Sequence, residues 1–148
     1  MANYHTNELI FDLPEILKDK THHIFTVSEE GPSPFNLVIS KLDVGLEDTL
    51  ESYGARLAAE VAKALPNFQL IGSGLIMVAG QPSWGLEYRW QNQGQWLHQR
   101  QASLFQYPEP GRKQAIQVTA TVAGEFTDEW KQMLSLILGS IRLRQSEA

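Results

Sequence analysis

Cysteine is absent from the 148 residues of this chain, and its absence excludes several chemistries. Disulfides, thiolate nucleophiles and cysteine-ligated metal sites all require it. Long apolar runs are scarce too, because the most apolar stretch, residues 70–79, is about half as long as a membrane-spanning helix. The N-terminal sequence has no positively charged segment followed by an apolar one. We therefore expect no signal peptide, a cytoplasmic location and no stable membrane insertion.

Positive charge is sparse and dispersed along the chain. Twelve Lys and Arg oppose 17 Asp and Glu, the net charge is −5, and the sequence has no basic stripe. Nucleic-acid binding usually needs such a stripe, so we do not expect nucleic acid as a partner. The length fits one domain, which we place at residues 1–144. The polar tail at residues 145–148 is expected to fray.

No pattern in the sequence indicates catalysis or metal binding. His22 and His23 are adjacent, so on a strand they point to opposite faces, while His5 and His98 lie far away in sequence. The glycines of Gly72–Gly74 lie inside a strand-like run and open no helix, which favours a bulge or a close backbone approach over a phosphate loop. No serine lies in a G-x-S-x-G motif. We predict a protein that is not an enzyme and that holds no cofactor and no metal.

Two helices are predicted from apolar residues at steps of three or four. The first runs from Leu46 to Leu65, with Glu47 and Asp48 in its first turn and Pro66 as its end. The second follows an N-cap at Thr127 and carries an apolar stripe over residues 130–141.

Seven strands complete the predicted order β-β-β-α-β-β-β-β-α. They cover residues 6–12, 21–28, 35–42, 68–78, 83–91, 96–107 and 114–123, separated by turn signals. Short links between them require an antiparallel sheet. The prediction is a single α+β domain, a curved antiparallel sheet with both helices packed on one face. Glu87 and Arg89 share a strand face and are predicted to form a surface ion pair.

The alternation of side chains along two strands predicts a second sheet face that is neither fully apolar nor fully polar. Phe35, Leu37 and Ile39 are expected to point toward the helices. The opposite parity combines apolar side chains with amides and hydroxyls; its members are Ile24, Asn36, Val38, Ser40, Leu97, Gln99, Gln101, Ser103 and Phe105. Such a face suits an apolar partner that carries a few polar groups, as transmembrane helices do. The alternative is an ordinary sheet face half buried in a homodimer.

The four tryptophans, at positions 84, 90, 96 and 130, allow two interpretations. They could form a stacking platform for sugars or bases. Packing in a core or a dimer interface is favoured, because aromatic side chains dominate both.

A set of collinear segments resembles one known family over nearly the whole chain. The segments are "DLPE" (12–15), "HIFTV" (23–27), "NLVISK" (36–41), "ALPNFQL" (64–70), "LEYRWQNQGQWLHQRQ" (86–101) and "EWKQMLSLILGSIRL" (129–143). They are similar to the Eag (effector-associated) chaperones of bacterial type VI secretion, within the broader DcrB-related group.

The resemblance implies a cytoplasmic, non-enzymatic homodimer shaped like a cup. Such chaperones bind the N-terminal transmembrane segments of toxin effectors of the PAAR or Rhs type, and shield them from water until loading on the secretion spike. The positions that match the family's apolar lining are Ile24, Val38, Leu65 and Leu97, and those that match its polar contacts are Ser40 and Gln101. Asn36, Ser103 and Phe105 complete the predicted client-binding set.

Two departures from the family pattern concern the lining. His22 stands where the family often has Ile, and Ser103 where another member can place a bulky aromatic residue. The same order of elements also allows a Mog1- or PsbP-like accessory module, which would bind a folded protein through an edge or a loop.

Overall fold

The computed structural model describes residues 2–5, 9–13, 22–27 and 33–144. In chain order the elements are β1 (Ala2–His5), β2 (Ile10–Leu13), β3 (His22–Thr26), β4 (Phe35–Val44), α1 (Leu50–Ala64), β5 (Gln69–Val78), β6 (Gln81–Asn92), β7 (Gln95–Glu109), β8 (Arg112–Ala123) and α2 (Asp128–Ser140). Six strands form a curved antiparallel sheet in the order β3-β4-β8-β7-β6-β5. The predicted α+β domain with an antiparallel sheet and two helices is confirmed.

The N-terminal region differs from the prediction of one strand over residues 6–12. β1 and β2 pair antiparallel with each other in a separate two-stranded sheet, with Ala2 opposite Leu13. The sequence analysis missed β1 because this short segment has no apolar alternation. Residues 6–8 and the predicted break at Pro14 lie outside the described residues, as does the tail at 145–148.

Helix α1 begins later than its apolar stripe suggests. The Thr49 side chain accepts a hydrogen bond from the Ser52 N–H (3.1 Å), and the Ser52 side chain accepts one from the Thr49 N–H (3.0 Å). This reciprocal capping box starts the helix at Leu50, so Leu46 lies outside it and is exposed. The prediction that Glu47 and Asp48 lie in the first turn is therefore wrong.

Helix α2 covers one face of the sheet, which we call the α2 face. Thr127 caps it as predicted, accepting from the Trp130 N–H at 3.4 Å. Leu134 packs in a buried cluster with Phe35 and Leu37 of β4, and the cluster extends to Val118, Ala120, Val122 and Phe126. The predicted inward direction of Phe35, Leu37 and Ile39 agrees with this packing. Apolar burial of this kind is the main source of fold stability.

Helix α1 covers the other face, which we call the α1 face. Its Tyr53 hydroxyl bonds Ser103 of β7, and Gly54 lies directly against the Trp84 ring of β6. Trp84 is opposite Ser103 in the sheet register, so both side chains point to the same side. The prediction that both helices pack on one face is therefore wrong. An apolar stripe predicts that a helix packs against the sheet, but it does not indicate which face of the sheet the helix covers.

Two local predictions on β5 and β6 have different outcomes. The predicted bulge at the glycines is confirmed by a register shift between Leu70 and Gly72. The predicted Glu87–Arg89 ion pair is wrong, because Glu87 pairs with neighbours across the strand, His98 Nε2 at 2.6 Å and Arg100 Nε at 3.2 Å. Arg100 lies directly opposite Glu87 and His98 lies diagonally from it, and both positions on the neighbouring strand are within side-chain reach.

Candidate functional site

The α1 face is only partly covered by its helix. We call the part formed by β3, β4, β8 and residues 97–101 of β7 the open surface. Ile24 lies opposite Val38, Val38 opposite Thr119, and Thr119 opposite Gln101. Since opposite residues of an antiparallel pair point to the same side, these four side chains form one continuous row across four strands.

Two more polar rows flank the Ile24 row. On one side His22, Ser40, Gln117 and Ser103 follow one another from β3 to β7. On the other side the row is Thr26, Asn36, Thr121 and Gln99. The register thus brings together most of the side chains that the strand alternation predicted for this face.

Exposure falls from the sheet edge toward α1. Ile24 is 66% exposed, Val38 is half-buried, and Gln101 is 9% exposed. Leu86, the next residue of the row on β6, is only 3% exposed. An apolar side chain as accessible as Ile24, beside half-buried neighbours, leaves surface that a partner can cover.

Hydrogen bonds fix two glutamine amides of β7 on this face. Gln99 Nε2 donates to Thr121 Oγ1 at 2.7 Å, and Gln101 Nε2 donates to Thr119 Oγ1 at 3.0 Å. Trp90 Nε1 donates to Gln99 Oε1 at 2.7 Å, so both ends of that amide are engaged. The amides are held in place before any ligand arrives, which lowers the entropy cost of binding.

Two buried amide oxygens on this face accept no hydrogen bond from the described residues. They are Asn36 Oδ1 and Gln101 Oε1. A buried acceptor without a donor costs free energy, typically about 1–3 kcal/mol, so native proteins rarely retain one without a use. Both oxygens are closed off from solvent, so a donor on a ligand reaches either one only when its amide turns outward.

Tyr53 links α1 to the polar row beneath it. Its Oη accepts from Gln117 Nε2 (2.5 Å) and donates to Ser103 Oγ (3.0 Å). Burial raises the pKa of the Tyr53 hydroxyl above its ordinary value, outweighing the opposite effect of these hydrogen bonds. The hydroxyl therefore keeps its proton at neutral pH and can serve as donor. Sequence reasoning missed this residue because it sits within an apolar helical stripe.

Ser103 and Phe105 lie under α1, away from the open surface. Ser103 is fully buried, with its hydroxyl bonded to Tyr53, and the Phe105 ring meets the Tyr53 ring edge-on at 5.5 Å. The Lys113 ammonium covers the Phe105 ring at 4.2 Å and donates to the Asp48 carbonyl oxygen. Helix α1 covers both side chains, so neither can contact a client on the open surface.

Leu97 and Leu65 complete the predicted set. Leu97 is half-buried on the α1 face, opposite Ala123 and Trp90. Leu65 is the half-buried C-cap of α1, which crosses this face. Thr119 and Thr121 were not among the predicted site residues. The alternation of polar residues along β8 was the signal that could have included them.

The α2 face holds the other titratable cluster near the sheet centre. His98 Nδ1 accepts the Phe126 N–H at 3.1 Å, so Nε2 carries the ring proton and faces Glu87. Burial raises the pKa of Glu87, but the His98 hydrogen bond and nearby Arg100 outweigh it and hold that pKa below its ordinary value. These contacts hold β6, β7 and the start of α2 together.

Within the described ranges, no three His, Asp or Glu side chains are grouped as they would be to hold a metal ion. His22 lies on the α1 face and His23 on the α2 face, in agreement with their predicted opposite directions. Neither helix in this part of the chain is long and apolar enough to cross a membrane.

The four tryptophans are engaged by different neighbours. Trp84 contacts Gly54, Trp130 stacks on Phe35 at 5.2 Å, and Arg89 lies over the Trp96 ring at 4.6 Å. Trp90 donates to Gln99, as described above. The favoured interpretation, packing rather than a stacking platform, agrees with these contacts.

Known proteins similar to this chain share its fold and much of its length. The DcrB family model matches residues 8–140. The protein named Effector EagT6 of Pseudomonas aeruginosa, strain PAO1, is 28% identical over 109 residues, which cover 73% of this chain and 76% of that protein. Both matches agree with the resemblance stated from the sequence segments.

Two solved structures resemble the fold. The crystal structure of PA94, a protein of unknown function from Pseudomonas aeruginosa, superposes with a TM-score of 0.77 at 23% identity, covering 99% of each chain. LpqN of Mycobacterium tuberculosis, described as involved in cell envelope biogenesis, superposes with a TM-score of 0.59 at 18% identity, covering 86% of this chain and 79% of its own. At these identities the likeness concerns the fold alone.

Proposed function

The chain belongs to the DcrB family, and from this premise we propose that it is an effector-associated chaperone of type VI secretion. In this proposal it binds the N-terminal transmembrane helices of a toxin effector of the PAAR or Rhs type and shields them from water before loading on the secretion spike. The similarity to Effector EagT6 supports an effector-associated role. It acts in the cytoplasm as a homodimer, without catalysis, cofactor or metal.

The observation that carries the proposal is the composition of the open surface. Exposed Ile24 and half-buried Val38 supply apolar area, and Asn36 and Gln101 hold buried amide oxygens with no donor in the described residues. A transmembrane helix offers the complement, an apolar surface interrupted by Ser, Thr or Asn side chains that donate hydrogen bonds. A fully polar protein surface would leave Ile24 poorly matched.

The spacing of the two acceptors suits a pair of helices. Asn36 is on β4 and Gln101 on β7, with β8 between them. Asn36 aligns with Gln99, two residues from Gln101, so two strand spacings and this offset together amount to roughly 12 Å. The axes of two packed helices lie about 8–10 Å apart. In this proposal each amide contacts one helix of an apolar hairpin, while Ser40 and Leu97 contact its sides. Leu65 contributes from the end of α1.

A charge on the open surface tests the proposal. The chain is co-expressed with the apolar N-terminal segment of a candidate type VI effector, fused to a soluble carrier, and the captured carrier is quantified. We expect Val38→Asp and Leu97→Asp to reduce capture at least 100-fold, because an unpaired buried charge costs several kcal/mol. Circular dichroism and the thermal midpoint of the free protein should change little for Val38→Asp, whose site is solvated without a client.

The matched control is Leu136→Asp. Leu136 lies on α2, on the other side of the sheet, and is 76% exposed. It introduces the same charge at an exposed apolar residue and should capture the carrier at wild-type levels. Capture at the wild-type level by Val38→Asp would show that the client does not bind at the open surface. Two interpretations would then remain: a client bound by side chains on the opposite face of the sheet, or a folded protein bound as by a Mog1- or PsbP-like accessory module.

A further inference from the structure

The three rows of the open surface contain a single titratable side chain. Apart from it, the described residues of these rows are apolar side chains, hydroxyls and amides. The exception is His22, which stands at the β3 end of the row that runs through Ser40 and Gln117. The surface that the proposed function assigns to the client therefore has one group whose charge can change near neutral pH.

The neighbours of His22 on the α1 face are uncharged. Ser40 of β4 lies directly opposite it, and Gln117 of β8 lies opposite Ser40. Val38 and Leu42 flank Ser40 on the same side of β4, because side chains two apart on a strand share a face. None of these neighbours in the described chain is a carboxylate that could stabilise a protonated imidazole.

The charged side chains of β4 point away from the open surface. Lys41 and Asp43 alternate with Ser40 along the strand, so they lie on the α2 face. His23 also points to the α2 face, and it is exposed as His22 is. One strand thus carries the same titratable group on both faces, which allows a matched comparison between them.

A client that covers His22 changes the cost of its charge. In the free protein the imidazole is exposed to water. Under an apolar helix a protonated imidazole loses its hydration and gains no carboxylate, whereas a neutral ring can still pack. Burial therefore favours the neutral form of a basic group. Histidine is the side chain whose charge ordinarily changes between about pH 5 and 8.

We propose that His22 makes client binding depend on pH: the open surface holds apolar helices while the imidazole is neutral and loosens its hold when the imidazole gains a proton. This inference rests on the proposed function and adds a means of regulation to the same site. The complex binds the proton less readily than the free chaperone does. By linkage, the affinity for the client is highest at pH 8 and falls as the pH falls toward 5.5.

Dissociation of a bound client at different pH values tests the proposal. The complex with the apolar N-terminal segment of the candidate effector, fused to its soluble carrier, is isolated at pH 8 and transferred to buffers between pH 8 and 5.5. Free histidine is about 90% protonated at pH 5.5, and affinity differences mostly appear in the dissociation rate. We expect the carrier to leave the wild type about tenfold faster at pH 5.5 than at pH 8.

Two variants on β3 separate this effect from titration elsewhere. His22→Gln keeps a polar side chain but removes the titratable group, so its dissociation rate should be the same at both pH values. His23→Gln is the matched control on the α2 face and should show the tenfold difference of the wild type. Both variants retain His98 and Glu87, so any change in the fold at pH 5.5 affects them equally. Circular dichroism of the free proteins at pH 8 and 5.5 measures that change directly.

The possible results separate this inference from the proposed function. Equal dissociation rates at pH 8 and 5.5 for the wild type, or an unchanged pH dependence in His22→Gln, overturn the inference and leave the proposed function standing. Slower dissociation at pH 5.5 overturns it as well, because it would indicate a negatively charged group of the client beside His22. A wild type that captures no carrier at pH 8 overturns the proposed function and this inference with it.

Discussion

The two faces of the sheet are built from the same strands but by different chemistry. On the α2 face, Leu37 and Val118 pack with Leu134 in a cluster of buried apolar residues. On the α1 face, the helix is joined through the hydroxyl of Tyr53 to Ser103 and Gln117, and amide–hydroxyl pairs continue past its edge. Shape and burial hold the first face together, whereas donors and acceptors organise the second. The comparison indicates that apolar burial dominates one side of the sheet and polar pairing the other, and the proposed function assigns client binding to the second side.

The largest expected difference between the faces concerns buried volume. Leu104 is 1% exposed on the α2 face, packed with Val78 and Ala102. Leu104→Ala should lower the free energy of unfolding by about 2–5 kcal/mol through the cavity it leaves. Val38→Ala, on the open surface, should cost about 1 kcal/mol or less, because a solvated site loses little contact. Urea denaturation of both variants measures the two losses in the free energy of unfolding. Equal losses would show that Val38 is as closely packed as Leu104.

A pair of helical glycines sharpens the comparison between α1 and α2. A Cβ on Gly54 would lie 2.2 Å from the Trp84 ring, whereas one on Gly139 meets no atom within 4 Å. Gly54→Ala should therefore destabilise by about 1–3 kcal/mol through overpacking. Gly139→Ala should stabilise by up to about 1 kcal/mol, the usual helix preference for Ala. Thermal midpoints that shift in the same direction for both would contradict the close packing of α1 on β6.

The smallest expected effect appears only at alkaline pH. Tyr88 lies on the covered part of the α1 face, and burial raises its pKa from 10.0 to about 12. The folded state holds this proton more tightly than the unfolded chain does. The resulting stability is complete below pH 10 and is lost as the pH rises from 10 toward 12.

We therefore compare the free energies of unfolding of Tyr88→Phe and the wild type. Between pH 10 and 12 this difference should shift in favour of Tyr88→Phe, compared with its value at neutral pH. Urea titrations at several pH values measure this. Tyr107→Phe is the matched control, the same substitution at a ring that is 65% exposed. Parallel pH profiles for wild type and Tyr88→Phe would contradict the burial of the hydroxyl.

Much of this architecture follows from local patterns in the sequence. The alternation of Phe35 and Leu37 with Asn36 and Val38 predicted the two faces of β4, and the turn signals separated β5 to β8. The capping chemistry of Thr49 was also present in the sequence, but the apolar stripe beginning at Leu46 masked it. Patterns of this range depend on a few neighbouring residues, which is why they can be read without coordinates.

Long-range relations could not be predicted from the same patterns. Nothing local indicates that β8 lies between β4 and β7, or that α1 crosses the face of Gln117 and Ser103. For the site, the apolar and amide residues of the Ile24 row were predicted, but the burial of Ser103 under Tyr53 was not. That burial depends on which helix occupies which face, a choice made by packing across the whole sheet.

The strand order also sets the sequence of events in folding. β5 to β8 are joined by hairpins and contact neighbours close in the chain, whereas β4 pairs with β3 on one side and finds its second partner only in β8, with Phe35 opposite Val122. Contacts between distant residues form slowly because a long loop must close first. During synthesis, β4 therefore emerges long before its partner strand, with Phe35 and Leu37 uncovered. The open surface is completed only when the last strand leaves the ribosome and docks.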